Sequence, residues 1–472
     1  MLRIFLLACF VVGMVIKPVW AEDKSDVVAP FMGQKGAVET IIAEIAYPGV
    51  SVEELEQIGN REQVLIEKQF RHDGLPDKSG NYKETVVAPF MGQEWLTVVA
   101  QFIGQRDAFA DGQTTASVMI YIPKFTTASM PQAGLDGLEM GGFWMDKYEA
   151  SQPDASASSV GSTSTNNPGT TAAVSQQGVV VWHTINWSNA KLACENRGQK
   201  KTGAPTTTGT TTTLIDNTNF PAYVVGKHIR ITQGGVVYHR RITSYNKDAT
   251  NKYITFTPAL PAATTTGDSY TICEYHLVTP YEWASVAYWC CMHTQPKGNN
   301  DYGNNTGDSD SDGTTFGIRD PQTGYYTDGK WDRVLTGTGP RTWSHNQQAS
   351  GIWDLNGNVW DWVDLEVTGN GTTIVITTGF PGAGYSIPTS SNYINQLEDT
   401  DTTVKTMAIP KTLGSANASY GNDYCWVNVA ANTYAAIRGG NWGNGPGAGV
   451  FSLALGNAPS AANAGIGFRA AR

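Results

Sequence analysis

Gly351-Ile352-Trp353-Asp354-Leu355-Asn356-Gly357-Asn358-Val359-Trp360-Asp361-Trp362 packs three tryptophans and two aspartates into twelve residues. Far downstream come Ile437-Arg438-Gly439-Gly440-Asn441-Trp442 and, near the end, Ile466-Gly467-Phe468-Arg469. Large aromatic rings can anchor loops too irregular to hold themselves, so Trp353, Trp360, Trp362 and Trp442 are expected to be largely buried. Upstream, Thr279-Pro280-Tyr281-Glu282 sets Thr at an N-cap, Pro at the first helical position and Glu at the third. That is a capping box leading into a helix over Trp283 to Trp289. An earlier helix is expected over Asn189 to Arg197, after Asn186-Trp187-Ser188, with Ser188 as its N-cap and Gly198 as its stop. Alternation at Val118, Ile120 and Ile122 reads as a strand, as do Phe143 to Ala150 and Val179 to Trp182. The Ser-, Thr- and Gly-rich stretch from Ser151 to Gln177 reads as a surface loop.

At 472 residues the chain exceeds one ordinary core and should hold two or three domains. Hydrophobic residues make up 40% and aromatics 10%, enough for a sizeable core. Lys plus Arg number 32 against 42 Asp plus Glu, a net charge of −10, so nothing favours a nucleic-acid backbone or an anionic membrane. Only 16% of residues are charged and 51 are glycine, which suits a loop-rich, β-containing extracellular or virion protein and excludes a helical bundle.

The start, with Arg3, the apolar run Ile4 to Ile16 and then Val19-Trp20-Ala21, reads as a secretory signal cleaved after Ala21. The run is too short to span a bilayer as a helix; a buried N-terminal helix or an uncleaved anchor is the alternative. Without Cys9 five cysteines remain, Cys194, Cys273, Cys290, Cys291 and Cys425, with no CxxC spacing and room for at most two bridges. The adjacent Cys290 and Cys291 should place one sulfur in the core and one outside.

The octapeptide Val27 to Gln34 recurs as Val86 to Gln93, with an amphipathic, Gly59-broken helix pattern over Ser51 to Phe70 between the copies. Two copies do not make a solenoid, so residues 22–116 read as an N-terminal adaptor or stalk behind the signal-like segment 1–21. Between the two expected helices, Thr-rich runs bound an insertion, 206–272. Its β-rich segments Val224 to Ile231, Val236 to Ile242 and Tyr253 to Phe256 make it a small all-β module hung from a loop of the host domain, 117–472. Asp308-Ser309-Asp310-Ser311-Asp312-Gly313 opens like a calcium loop but carries Arg319 at the twelfth position, so it reads as a solvated acidic loop.

Together with the helix pair, the three strings resemble the C-type-lectin-like fold shared by formylglycine-generating, sulfatase-modifying enzymes and by variable proteins of diversity-generating retroelements. The resemblance spans residues 117–472, insertion excluded, and implies an α+β domain. Its enzymes need a redox-active cysteine pair close after the Arg-Gly-Gly motif, and no Cys lies between Ile437 and Arg472. Without that sulfur there is no nucleophile or copper ligand for the chemistry. No Ser sits in a GxSxG string either, so no catalytic residue is assigned.

In the variable-protein branch the resemblance implies that residues 437–472 form the variable region. Gly443, Gly447, Ser452, Ala454, Gly456, Asn457, Ala461, Asn463 and Gly465 are the expected ligand-binding display positions. From Gly443 to Gly465 every residue except Val450, Phe451, Leu453 and Leu455 is Gly, Ala, Ser, Pro or Asn. In a strand over Val450 to Gly456, Phe451, Leu453 and Leu455 would point inward and Ser452, Ala454 and Gly456 outward. An ordinary Gly/Ala-rich loop covering the sheet is the alternative. In the sulfatase-modifying family the positions matching Asp354, Gly357, Val359 and Asp361 bind calcium, through two side chains and two backbone carbonyls. Here Asp361 stands where that family carries Glu. Oxygen ligands at this spacing suit calcium, the one cofactor implied; the alternative has both aspartates bonding loop amides.

The resulting expectation is a non-catalytic protein that displays a retroelement-diversified, receptor- or ligand-binding surface on a cell surface or phage virion. A divergent sulfatase-modifying-type oxidase and a structural virion protein without a variable site are the rivals. The expected partner is a protein or glycan receptor on a target cell, with no nucleic acid, no membrane span beyond the signal-like segment, and self-association as a homo-oligomer compatible with the fold. The expected location is exported, on the cell surface or extracellular, or else a virion tail.

Overall fold

The computed structural model describes residues 104–107, 117–198, 201–218, 220, 224–248, 250–293, 317–322 and 333–472. The signal-like segment, the repeated octapeptide, all of the adaptor but 104–107 and the Asp308 to Gly313 loop lie outside the described residues. Strands β1 (Ser117–Ile122) and β2 (Phe143–Asp146) precede helix α1 (Trp187–Glu195). Six strands follow: β3 (Lys201–Gly203), β4 (Thr213–Ile215), β5 (His228–Gln233), β6 (Val236–Lys247), β7 (Lys252–Thr257) and β8 (Ser269–Cys273). After β9 (His276–Leu277) and helix α2 (Pro280–Met292) come β10 (Trp360–Gly369), β11 (Ile374–Ile376), β12 (Ser386–Ile387), β13 (Asn392–Leu397) and β14 (Pro410–Gly414). The chain closes with β15 (Tyr424–Val427), β16 (Asn432–Gly439), β17 (Gly449–Asn457), β18 (Ile466–Phe468) and β19 (Ala470–Ala471). The described part is mostly β, which α+β fits only loosely.

The largest sheet runs β12-β11-β10-β16-β17-β15-β13-β14, and β18 adds in parallel to the start of β10. A second sheet sets β1 beside β2, then β19 and β9, so the last residues of the chain are stitched between β2 and β9. Because alternate side chains of a strand face opposite ways, β10 sends Val363, Leu365 and Val367 into one core with α2, and Trp360 and Trp362 into another with α1. Both faces of the sheet are therefore covered. Trp353, Trp360, Trp362 and Trp442 are all buried, as anchors should be.

Strands β3 to β8 form a separate antiparallel sheet, ordered β3-β8-β5-β6-β7-β4, around its own core of Leu214, Ile229, Ile231, Ile254, Phe256 and Ile272. They occupy the stretch between α1 and α2 where β-rich segments were expected.

The capping box of α2 is present in both directions. The Thr279 side chain accepts from Glu282 N–H, and Glu282 accepts from Thr279 N–H at 2.8 Å. Helix α1 begins two residues earlier than the sequence suggests. Its N-cap is Asn186, whose Oδ1 accepts from Asn189 N–H at 2.9 Å, rather than Ser188; this keeps Trp187 in the first turn, where its indole reaches the Val363 carbonyl. Val179 to Trp182 is buried but is not a strand. Val180 N–H donates to the Ser156 carbonyl and Trp182 N–H to that of Ala150, single bonds to two separate segments, so no ladder forms. Cys290 and Cys291 are both buried, against the expectation of one inside and one outside, because α2 is covered on both sides: Cys290 Sγ meets the His345 carbonyl and Cys291 Sγ that of Ser419.

His345 sits against this helix, its ring edge-on to Trp289 at 4.9 Å, and its Nδ1 accepts from Ile352 N–H at 2.8 Å. Burial, then the charge of His293, hold its pKa down at about 3. A histidine depressed in the folded state contributes stability that is intact above the unfolded value, about 6.5, and is lost as pH falls toward the folded one. Its share of acid destabilisation should approach about 1.4 kcal/mol per pH unit. His345→Gln, which can still accept the Ile352 N–H, should flatten the acid limb of a Tm-against-pH curve between pH 6.5 and 4; an unchanged slope would remove His345 from that role.

Candidate functional site

An open cleft of about 390 Å³ lies over the α1-side face of β16, β17 and β15. Its floor is Ile437, Ala454 and Ile466, and its aromatic wall is Trp360 and Trp426. Register explains the floor. Ala454 pairs with Ile437 on one side and with Trp426 on the other, so three side chains of one face stand in a row, with the methyl in the middle. That gap between two larger neighbours makes the depression. Trp426 meets Trp360 edge to face at 5.3 Å and Tyr424 at 4.7 Å. The rim is amide-rich, with Asn428, Asn441, Asn444, Asn457 and Asn463, and Ser391 beside them; no charged residue lines the cleft.

Of the display positions predicted from sequence, Ala454, Gly456, Asn457 and Asn463 line this cleft, whereas Gly443, Gly447, Ser452, Ala461 and Gly465 do not. Gly443, Gly456 and Asn463 are exposed, and Asn457 and Ala461 are half-buried. The outward orientation expected for the rest is corrected by the structure: Gly447, Ser452, Ala454 and Gly465 are buried. For Ser452 and Ala454 the reason is that β17 is an inner strand whose second face is also covered. Ser452 Oγ turns back to donate to the Gly447 carbonyl at 2.5 Å. A Cβ on Gly447 would press on Tyr424 and the Trp426 ring, and one on Gly465 would come within 2.5 Å of the Asn441 amide nitrogen. Phe451, Leu453 and Leu455 point into the α2-side core as expected.

Sequence reasoning missed Trp426, Asn428 and Ser391 altogether and saw Asn441 only as part of a motif. The alternation in Tyr424-Cys425-Trp426-Val427 marks a strand, but its parallel pairing with β17 is a long-range event.

The tryptophan-rich string and its two downstream partners are structural. Arg438 is fully buried and donates to the carbonyls of Phe451, Met407 and Ala408. Gly439 and Gly440 hold φ of +91° and +83°, and a Cβ on Gly440 would collide with Ala448. Arg469 bonds Asp361 through Nε at 2.6 Å and the Asp354 carbonyl through Nη2 at 2.7 Å. Glu149 accepts from Asn358 Nδ2 and from Val359 N–H. Burial, reinforced by Asp354, raises Glu149 well above the usual carboxylate range, and burial raises Asp354 and Asp361 too.

Gly357 donates its N–H to Gly439, and Asp354 Oδ2 accepts from Gly337 N–H at 2.7 Å. Asp354 Oδ1 and Asp361 Oδ1 are buried without a hydrogen-bond partner, two anionic oxygens whose chemistry fits a hard cation. Among the described residues no three His, Cys, Asp or Glu side chains converge to hold a metal. A cation here would rest on these two carboxylates and on main-chain carbonyls such as those of Gly357 and Val359.

No family model matches the chain, and no curated protein does either. Among solved structures, Treponema denticola variable protein 1 aligns at 11% identity and a TM-score of 0.30, over 78% of this chain and 98% of that one. A Major Tropism Determinant U1 Variant aligns at 14% identity and a TM-score of 0.26, over 78% of this chain. The alignment spans 61% of that second protein's length.

Proposed function

We propose that this chain is a non-catalytic ligand-binding protein with a C-type-lectin-like domain, 117–472, whose segment 437–472 is diversified by a retroelement to reshape one binding cleft for a receptor on a target cell. Residues 206–272 are then an inserted module and residues 22–116 the adaptor that carries the domain on a cell surface or a virion tail. One observation carries the reading: most of the cleft lining comes from 437–466, while the neighbouring residues of the same strand fill the opposite core. Asn441, Asn444, Gly456, Asn457 and Asn463 lie outside both core clusters, so the rim can change while Ile437, Ala454 and Ile466 form a floor continuous with the α1-side core. Burial pushes the Cys425 thiol up to about 12 and raises Cys194 well above its ordinary value, so neither offers the thiolate that the enzymes resembled in sequence use. A thiol held protonated is a poor nucleophile.

Resequencing the 3′ end of the gene across a growing population tests this. Substitutions should concentrate at codons lining the cleft, Asn441, Asn444, Ala454, Gly456, Asn457 and Asn463, and arise at adenines, with a near-copy of the segment beside a reverse-transcriptase gene. Variation spread evenly over 117–472, or none, would overturn it.

Calcium at Asp354, Gly357, Val359 and Asp361 is part of the same proposal. A ligand that binds only the folded state stabilises it, so chelation should lower Tm and millimolar calcium restore it. Asp361→Asn should abolish the shift. A Tm indifferent to both treatments would leave Arg469 as the only counter-charge of these carboxylates.

A further inference from the structure

Four amides of the rim are tied down in the same way. Asn428 Oδ1 accepts from Ala430 N–H at 3.0 Å, Asn441 Oδ1 from Gly443 N–H at 3.0 Å, Asn444 Oδ1 from Asn441 N–H at 2.8 Å and Asn463 Oδ1 from Gly465 N–H at 3.2 Å. An amide whose oxygen is held by a backbone N–H has its orientation fixed, and its NH2 group is turned the other way. Among the described residues nothing accepts from these four Nδ2 groups, so the cleft is lined by donors that have been positioned but not used. Beside them stands Trp426, half-buried, with Trp360 edge-on behind it.

On the reading that this cleft is the binding site, we infer that its ligand is an uncharged saccharide end, seated with one C–H face on the Trp426 indole and its hydroxyl and ring oxygens on the amides of Asn428, Asn441, Asn444 and Asn463. The lining excludes other classes for stated reasons. A charged group would be desolvated with no counter-charge to meet it. An extended peptide needs acceptors for its N–H groups, and four of the five rim amide oxygens already accept from a backbone N–H; nor can it add to the sheet, because β16 and β17 have neighbours on both sides. A hydroxyl-rich ring supplies acceptors for fixed donors and an apolar face for an aromatic wall. At about 390 Å³ the cleft is near the lower end of the ~300–1,000 Å³ of small-ligand sites, which suits a terminal sugar rather than a polymer run.

The test is titration of the full chain with methyl glycosides of glucose, galactose, mannose and N-acetylglucosamine, read by tryptophan fluorescence and by saturation-transfer NMR. At least one should bind, with Kd of about a millimolar, and Trp426→Ala and the exposed-rim change Asn463→Ala should each weaken it at least tenfold. Unchanged affinity in both variants, with unchanged Tm, would overturn the inference. So would binding of a sialylated or sulfated glycoside or of a peptide in place of every neutral one; if Trp426→Ala blocked that binding, the cleft would stand as the site and only the ligand class would fall. Undiminished attachment to target cells by Trp426→Ala and Ala454→Tyr alike would remove the cleft itself and the proposed function with it.

Discussion

Arg469→Met is expected to lower the stability of the domain by about 3–5 kcal/mol, the usual cost of stripping one partner from a buried ion pair. The guanidinium is fully buried, and it faces Asp361, Glu149 and the Asp354 carbonyl. Burial alone would lower its pKa, but the carboxylates around it outweigh that and hold it above the ordinary arginine value. Removing the cation leaves three acidic side chains in a dry interior, where at least one must take up a proton or admit water. With domain stabilities of about 5–15 kcal/mol, the urea midpoint should fall steeply. Arg469→Lys keeps the charge but not the fork that reaches both Asp361 and Asp354, so it should fall between wild type and Met. The double change Arg469→Met with Asp361→Asn should recover part of the loss, because it deletes the stranded charge as well. A midpoint for Arg469→Met within error of wild type would mean that the cluster is hydrated and contributes nothing.

What the sequence reveals depends on how far each signal reaches along the chain. The capping box at Thr279 is settled within four residues, and it is present as read. The first helix has two polar residues able to cap it, and the choice of Asn186 over Ser188 follows from packing Trp187 under β10, which no local pattern contains. Val179 to Trp182 has strand composition, yet a strand exists only when another runs alongside it, and its backbone bonds go singly to separate segments at Ser156, Ala150 and Thr336. The four anchoring tryptophans were legible because a cluster of large rings in loop-like sequence has nowhere to go but inward. Half of the candidate site was not. Alternation correctly separates Phe451, Leu453 and Leu455 from Ala454, but it cannot say that the other face is roofed by α1, Trp360 and Trp426. Those residues lie far away along the chain: Trp426 arrives with the parallel pairing of β15 to β17, Trp360 with β10 beside β16, and α1 by packing over the sheet.

That division along β17 gives the second large effect. Phe451→Ala is expected to cost about 3–5 kcal/mol, since the ring is fully buried between Tyr288 and Tyr420 and its removal leaves a cavity in a close-packed core. Ala454→Tyr acts on the opposite face. Ala454 is only 6% exposed and belongs to the α1-side cluster, but its methyl also lines the open cleft, so the larger ring has space to enter on that side. A stability loss of about 1 kcal/mol is expected, the size of an ordinary point change. Ligand affinity should fall at least tenfold, because the tyrosine fills the space that the ligand needs and covers the Trp426 wall. The pair is checked by urea denaturation of both variants alongside the glycoside titration. A loss for Ala454→Tyr as large as that for Phe451→Ala would show that β17 is packed core on both faces, and a cleft that tolerates changing side chains would no longer be tenable there.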